Sequence, residues 1–363
     1  MRILFTNNTL GPRGGTEMYV LDVARRLQAL GHMPVAYSSE LGVTAEALRI
    51  AGIPVVDDLA RLPFQPDVIH GQHHLDTMTA LLCLPGVPAV YFCHGALPWQ
   101  EKAPMSPRIR RYVGVDQACF ERMICEQGIP EEKITILLNF VDLQRFQPRP
   151  PLPAKPRRAL IFSVGNPEIE KIIRAACTGA GIELDIVGNL ATNTVGAPEK
   201  VLPHYDLVFA KGRAVLEAMA TGCSVIIFTG RGCGPLVSRK NFDQLRRLNF
   251  GYRTAQSDVT VDFITSQIAE YDAAEAAAIS ARVRTEADME HTVDRIVELY
   301  TEAIAEHRQA PSDPAADSRA AGIYFQSLLP AFKRAPQRGL TSKYRFFEKM
   351  ARKADKISGW LRS

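Results

Sequence analysis

The chain has 363 residues, of which 46% are hydrophobic and 23% charged. That is the composition of an ordinary folded protein, not of a collagenous, coiled-coil or disordered one, and the length suits two domains. The 43 basic and 39 acidic residues leave +4, but residues 331–363 alone carry +8, so the first 330 stand at −4 and do not look like a nucleic-acid binder.

Short apolar runs alternate with helical patterns from the start. Ile3-Leu4-Phe5 reads as a strand and Gly11-Pro12-Arg13-Gly14-Gly15 as a loop. Residues 16–30 place Val20, Leu21, Ala24, Leu27 and Leu30 at helical spacing, with Gly31 as a stop. Further strands are predicted at 34–37, 67–70, 89–93, 112–115 and 134–138, and a helix at 117–127. This alternation is the signature of a parallel sheet flanked by helices. Five prolines between 148 and 156 then rule out either regular element and mark a stiff linker. Beyond it the pattern restarts, with strands at 159–164, 184–187, 206–209 and 224–228 and helices at 168–178 and 214–221. A largely helical stretch follows at 261–306. The expected organisation is an α/β chain with a first Rossmann-like domain over 1–147, a linker over 148–156, a second such domain over 157–310 and an extension over 311–363. Two doubly wound domains facing each other would leave a deep cleft. In such sheets ligands bind beyond the carboxyl ends of the strands, near helix N-termini.

Two segments carry charge chemistry. Gly11-Pro12-Arg13-Gly14-Gly15-Thr16-Glu17 follows the first strand. It is either a plain strand-to-helix turn or a place where adjacent glycines let the backbone approach an anion. It lacks the dinucleotide fingerprint G-x-G-x-x-G. Lys211-Gly212-Arg213 opens a predicted helix that runs on to Glu217. Two cations at a helix N-terminus oppose the helix dipole unless an anion binds there, and a diphosphate would supply one. Glu217 either pairs with Arg213 at i,i+4 or accepts hydrogen bonds from paired sugar hydroxyls.

The seven cysteines show no C-x-x-C spacing and read as buried reduced thiols. No apolar run reaches the ~20 residues of a membrane span, and the apolar start Met1-Arg2-Ile3-Leu4-Phe5 is too short for a signal peptide. A cytoplasmic protein is expected. His70, His73 and His74 follow a predicted strand end on the cleft side. No histidine and carboxylate set near them has metal-ligand spacing, so no metal is expected there.

Seven motifs taken together carry a resemblance. They are Gly14-Gly15-Thr16-Glu17, Asp67-Val68-Ile69-His70, Cys93-His94-Gly95, the run 134–142 with Phe146 after it, Val164-Gly165, Tyr205-Asp206-Leu207-Val208, and Leu216-Glu217-Ala218-Met219-Ala220-Thr221-Gly222. In their order and spacing the chain resembles the retaining glycosyltransferases of family four over residues 1–305. That family has the GT-B architecture of two facing Rossmann-like domains. The resemblance implies transfer of a sugar from a nucleotide-sugar donor to a glycan or lipid-linked acceptor, in surface polysaccharide or glycoconjugate synthesis. It implies that Gly14 and Gly15 face the donor diphosphate, that His94 lies near the transferred sugar, and that Lys171 binds phosphate beside Lys211, Gly212 and Arg213. Glu217 falls on the residue that binds the ribose, and Glu17, His70 and His73 on the acceptor side. It implies no cofactor beyond the nucleotide-sugar co-substrate and no metal, the cations and helix dipoles stabilising the leaving diphosphate instead.

Two departures stand out. Asn166 replaces the arginine that usually follows the glycine of Val164-Gly165, and Phe209 stands where the first glutamate of the family's Glu-x7-Glu motif would fall. Contact with the donor sugar is therefore altered, or the loop before Glu217 is shortened. A sugar-nucleotide epimerase, or a sugar-nucleotide-binding protein of weakened activity, is the alternative. In the tail, residues 343–361 place Phe347, Met350, Ala351, Ala354, Ile357 and Leu361 on one helical face, opposite Arg345, Lys349, Arg352, Lys353 and Lys356. Such a helix either packs on the body or lies on an anionic membrane as a peripheral contact through 331–363.

Overall fold

A computed structural model of the chain describes residues 1–162, 166–187, 197–229 and 232–334. The chain divides into two compact units, Met1–Asp313 and Pro314–Ser363. The first unit holds two sheets. Strands β1 (Arg2–Thr6), β2 (Met33–Tyr37), β3 (Val55–Val56), β4 (Val68–Gln72), β5 (Ala89–Cys93), β6 (Ile109–Gly114) and β7 (Ile134–Ile136) form the first, in the order β3-β2-β1-β4-β5-β6-β7. All neighbours are parallel. Strands β8 (Arg158–Phe162), β9 (Glu183–Val187), β10 (Leu207–Ala210), β11 (Ser224–Phe228) and β12 (Cys233–Leu236) form the second, in the order β12-β11-β10-β8-β9. There only the β11–β12 pair is antiparallel.

Both orders are doubly wound, and each reverses direction once, between β1 and β4 in the first sheet and between β8 and β10 in the second. Central strands such as β5 and β11 are buried at every position, which is why they read in the sequence as unbroken apolar runs. Helices cover the faces. Those that matter for the site are α1 (Gly15–Ala29), α2 (Val43–Ile50), α3 (His74–Cys83), α4 (Gln117–Cys125), α5 (Pro167–Gly179), α6 (Pro198–Val201) and α7 (Arg213–Thr221). After them come α8 (Phe242–Arg247), α9 (Val261–Ala269), α10 (Ala273–Glu286) and α11 (Met289–Gln309). The linker at 148–156 has no regular structure and is tied to the second sheet. Arg149 pairs with Asp206 at 2.9 Å, and the Tyr271 hydroxyl donates to the Pro153 carbonyl at 2.9 Å.

Helix α11 differs from the expected grouping of residues 157–310. The chain reaches it after the second sheet, yet Val293, Ile296, Leu299, Tyr300 and Ala303 pack with Ile3, Phe5 and Val20 in the core of the first. Its solvent edge explains the late prediction of β6 as well. Arg110 and Arg111 look wrong for a strand, but Arg111 pairs with Glu302 and Glu306, and Arg110 donates to the His307 ring at 2.9 Å. The Val141 N–H donates to the Ala287 carbonyl, and the Met289 N–H donates back to the Val141 carbonyl. The two passages of the chain between the sheets therefore run side by side.

In the second unit, α12 (Pro314–Arg334) begins at the predicted Pro311-Ser312-Asp313-Pro314 break and leaves Ile323, Phe325 and Leu329 exposed. The predicted amphipathic stretch at 343–361 and the Val164-Gly165 motif lie outside the described residues.

Candidate functional site

The carboxyl edge of the first sheet gathers one cluster. Strand β1 ends into Asn7 and Asn8, β4 into His73, and β5 into His94. The Asn8 N–H donates to His73 Nδ1 at 3.1 Å. His73 Nε2 lies 3.4 Å from Glu101 Oε1, and Glu101 Oε2 accepts the His94 N–H at 2.8 Å. His73 holds φ 57, a conformation that costs a side chain of this size and that clusters at functional positions. Burial pushes the Glu101 carboxyl up, but its bond to His73, the nearby His94 and the His94 N–H outweigh it, so the group sits below its ordinary value. Burial, with smaller pushes from His73 and Arg213 and an opposing pull from Glu101, lowers His94 to about 4. The imidazole is therefore neutral near pH 7. Its ring meets the edge of Tyr19 at 4.5 Å, and its Nε2 is buried with no hydrogen-bond partner among the described residues. Both polar atoms of the Asn7 amide are buried and unpartnered in the same way.

The glycine loop leads into α1. A Cβ on Gly14 would lie 2.3 Å from Glu17 Oε2, whereas one on Gly15 would meet nothing within 4 Å. The Glu17 carboxylate thus folds back over Gly14 onto the start of its own helix and takes a bond from the Thr16 hydroxyl at 3.1 Å. Burial raises this carboxyl above its ordinary value against its own backbone N–H, the Thr16 hydroxyl and His73. A side-chain anion stands where the sequence pattern suggested an external one, while Gly15 leaves the approach open.

A second cluster spans the two sheets. Strand β10 and helix α7 are joined by only Lys211 and Gly212, the latter at φ 58, which favours glycine. Lys211 is exposed. Arg213 turns to the first sheet and pairs with Asp22 of α1. The anticipated partner Glu217 lies farther off, at 3.9 Å. Arg145 stands 3.7 Å from Asp22 and 2.8 Å from Glu199 of α6. Arg213 also lies over the Phe140 ring at 5.2 Å, and its Nε and Nη1 are buried without hydrogen-bond partners among the described residues. Burial, helped by Asp22 and Glu199 and opposed by Arg213 and Arg145, pushes Glu217 up to about 7.

Other expected residues lie elsewhere. His70 was placed on the acceptor side because the strand was expected to end there. Strand β4 runs two residues farther, to Gln72, and His70 is fully buried in the core. Its ring stacks on Phe92 at 3.7 Å, and Nδ1 shares a hydrogen bond with the Tyr300 hydroxyl at 2.5 Å. Lys171 is in the second turn of α5, 71% exposed, paired with Glu168 at 2.8 Å. Asn166 caps that helix by accepting the Glu168 N–H at 3.1 Å. Phe209 lies inside β10, buried among Ile161, Ile173 and Ile226. A glutamate there would be a buried unpaired charge, and only Lys211 and Gly212 separate the end of β10 from α7. Asp22, Arg145, Glu199, Glu101 and Asn7 were not anticipated. The available signal was an acid at Asp22 between Leu21 and Val23 in an otherwise apolar run. No group of three His, Cys, Asp or Glu side chains able to hold a metal occurs among the described residues, and none of their helices is long and apolar enough to cross a membrane.

Comparison with known proteins gives a match to a family model over part of the chain, and a fold. Residues 13–145 match the family model described as Glycosyltransferase Family 4. No curated protein matches the sequence. Among solved structures, a glycosyltransferase from Rickettsia africae ESF-5 is similar at TM-score 0.60 and 14% identity, covering 84% of this chain and 98% of that one. HepE of Anabaena, solved in complex with UDP and glucose, is similar at TM-score 0.60 and 16% identity, over 83% of this chain and 99% of that one. A structure described as a putative UDP-N-acetylglucosamine 2-epimerase from Listeria monocytogenes reaches 0.51 at 11% identity, over 86% and 97%. These likenesses show the fold, a two-domain, Rossmann-like GT-B architecture, and the family match covers residues 13–145 of it.

Proposed function

We propose that the chain is a nucleotide-sugar-dependent glycosyltransferase that moves a sugar, with retention, onto a hydroxyl of a glycan or lipid-linked acceptor. One observation carries the reading. Arg213, with two buried nitrogens that lack a hydrogen-bond partner among the described residues, lies over the Phe140 ring at 5.2 Å, and the Tyr19 ring meets both that ring at 5.5 Å and the ring of His94, whose Nε2 is likewise without a partner among them, at 4.5 Å. A guanidinium able to take an anion and a neutral imidazole able to take a hydroxyl thus flank one aromatic cluster.

In this reading Arg213 binds the donor diphosphate in a fork, exchanging Asp22 for phosphate oxygens. Exposed Lys211 and Lys171 swing in from solvent, and Gly15 lets the backbone approach from the other side. Glu217 accepts hydrogen bonds from the ribose hydroxyls. His94 meets the transferred sugar, and the departing phosphate takes the acceptor's proton. The guanidinium and ammonium charges stabilise the leaving group, so no metal is required. Asn7, Glu17 and His73 line the acceptor side. Residues 331–363 hold the enzyme peripherally on the cytoplasmic face of an anionic membrane, where surface polysaccharide or glycoconjugate acceptors are built.

The test is turnover with a panel of nucleotide sugars. Release of nucleoside diphosphate, with an α-configured product from an α-configured donor, supports the reading. Epimerised sugar without transfer supports the epimerase instead, and binding without turnover supports a protein of weakened activity. For the tail, vesicle co-sedimentation of the full chain and of one ending at Pro330 is decisive. Binding that survives truncation or ignores anionic lipid refutes the tether.

A further inference from the structure

We infer that Glu101 is a positioning residue for His94, tying the loop that carries this imidazole to His73 at the end of the neighbouring strand. The inference rests on the proposal that His94 meets the transferred sugar.

Glu101 is 3% exposed and closes the short turn Trp99–Glu101, seven residues after His94. The hydrogen bonds have a fixed sense. The Asn8 N–H can only donate, so His73 Nδ1 must accept, which leaves the ring's proton on Nε2, 3.4 Å from Glu101 Oε1. The other carboxylate oxygen takes the His94 N–H. One carboxylate therefore joins the ends of two adjacent strands, β4 at His73 and β5 at His94, and His73 in turn takes the N–H of Asn8 beyond β1.

The rest of the loop is shaped by other groups. Arg122 donates to the Gly95 and Pro98 carbonyls at 3.0 and 2.9 Å, and Cys93 Sγ reaches the Glu101 carbonyl at 3.4 Å. These ties act on carbonyls along the loop, whereas Glu101 acts on the backbone of His94 itself. A buried carboxylate is an expensive device for holding a loop that Arg122 already holds, since its desolvation offsets much of what its partners return. Its distinct effect is orientation. The His94 Nε2 has no hydrogen-bond partner among the described residues, so the backbone tie and the edge of Tyr19 bear on where that nitrogen points.

Glu101→Gln tests this at nearly constant volume. A carboxamide offers one acceptor and one NH2, so whichever way it turns, either the His94 N–H or the His73 Nε2–H faces a donor. On the full chain, imidazole 15N spectra should show altered His94 ring signals, or His73 with its proton moved from Nε2. With a nucleotide sugar that the panel shows to be turned over, kcat should fall about ten- to hundredfold, as sub-ångström to ångström misplacement of a reacting group does. KM for the donor and Kd for UDP, the probe nucleotide, should stay within about twofold. Glu101→Ala should show the same split with a larger fall in kcat. Unchanged His73 and His94 spectra, or unchanged kcat, overturns the inference. So does a fall in kcat matched by an equal loss of UDP binding and of thermal stability, which would mark Glu101 as merely structural. If the wild-type chain turns over no nucleotide sugar, the functional reading fails, and the spectra alone decide whether Glu101 sets His94.

Discussion

The two clusters of the site are built in opposite ways. The one on the first sheet is internal to its domain and closed: Glu101, His73 and the His94 N–H satisfy one another in a fixed order of donors and acceptors. The one between the sheets is charged and open. Three carboxylates, Asp22, Glu199 and Glu217, share two guanidiniums, Arg145 and Arg213, and Arg213 keeps unpartnered nitrogens. A closed network around one carboxylate holds an atom in place; an open one of several charges holds its own substitute for a ligand until the ligand arrives. The first suits the reacting part of a substrate and the second its diphosphate.

The largest effect that would break this contrast is on the first cluster. His94→Ala should lower kcat by about 10²-fold or more, the scale of a positioned catalytic group, with UDP binding retained in isothermal titration. Equal kcat would remove His94 from the chemistry. For the second cluster, Arg213→Ala should weaken nucleoside-diphosphate binding by roughly 1.5–3 kcal/mol, the scale of a charge-assisted hydrogen bond. An unchanged Kd would leave Arg213 as a domain tie to Asp22 only.

Acid separates the clusters further. His94 drops from an ordinary 6.5 to about 4 in the folded chain, so the unfolded chain binds its proton first. Its contribution to stability is complete above pH 6.5 and is lost as pH falls toward 4, by up to about 1.4 kcal/mol per pH unit. Denaturant melts across that window should show the slope, and His94→Gln should flatten it; a slope identical in the variant refutes the assignment. A smaller effect is expected from Asp22→Asn. With no carboxylate to displace, UDP should bind about threefold tighter, although the midpoint of thermal unfolding should drop because Arg213 loses a buried partner. Weaker UDP binding in Asp22→Asn would mean that Asp22 orients Arg213 rather than occupying it. The smallest effect is none: dialysis against a chelator should leave turnover unaltered, and loss restored by Mg²⁺ would contradict cation-only stabilisation.

Much of the fold was legible because its signals are local. Unbroken apolar runs and period-3.6 apolar patterns located β1, β5, β11, α1, α5 and α7 within a few residues. The glycine loop and the Lys211-Gly212-Arg213 helix start could also be picked out, since turn and helix-terminus chemistry depends on near neighbours, whereas His94 was marked by the resemblance alone. The failures share a different cause. His70 moved from the expected cleft into the core because β4 runs on to Gln72, and its partner Tyr300 is 230 residues away.

What the sequence determined by itself was therefore the alternation of strands and helices, the linker, and which loops carry unusual residues, all set by backbone preferences and side-chain periodicity over a few turns. Only the tertiary structure decided which of those residues meet. It placed α11 on the first sheet, set Asp22 against Arg213 across 191 residues of chain, and made Glu101 the common partner of His73 and His94. Such pairings depend on where two separately wound sheets bring their edges together, and no local pattern of residues encodes that.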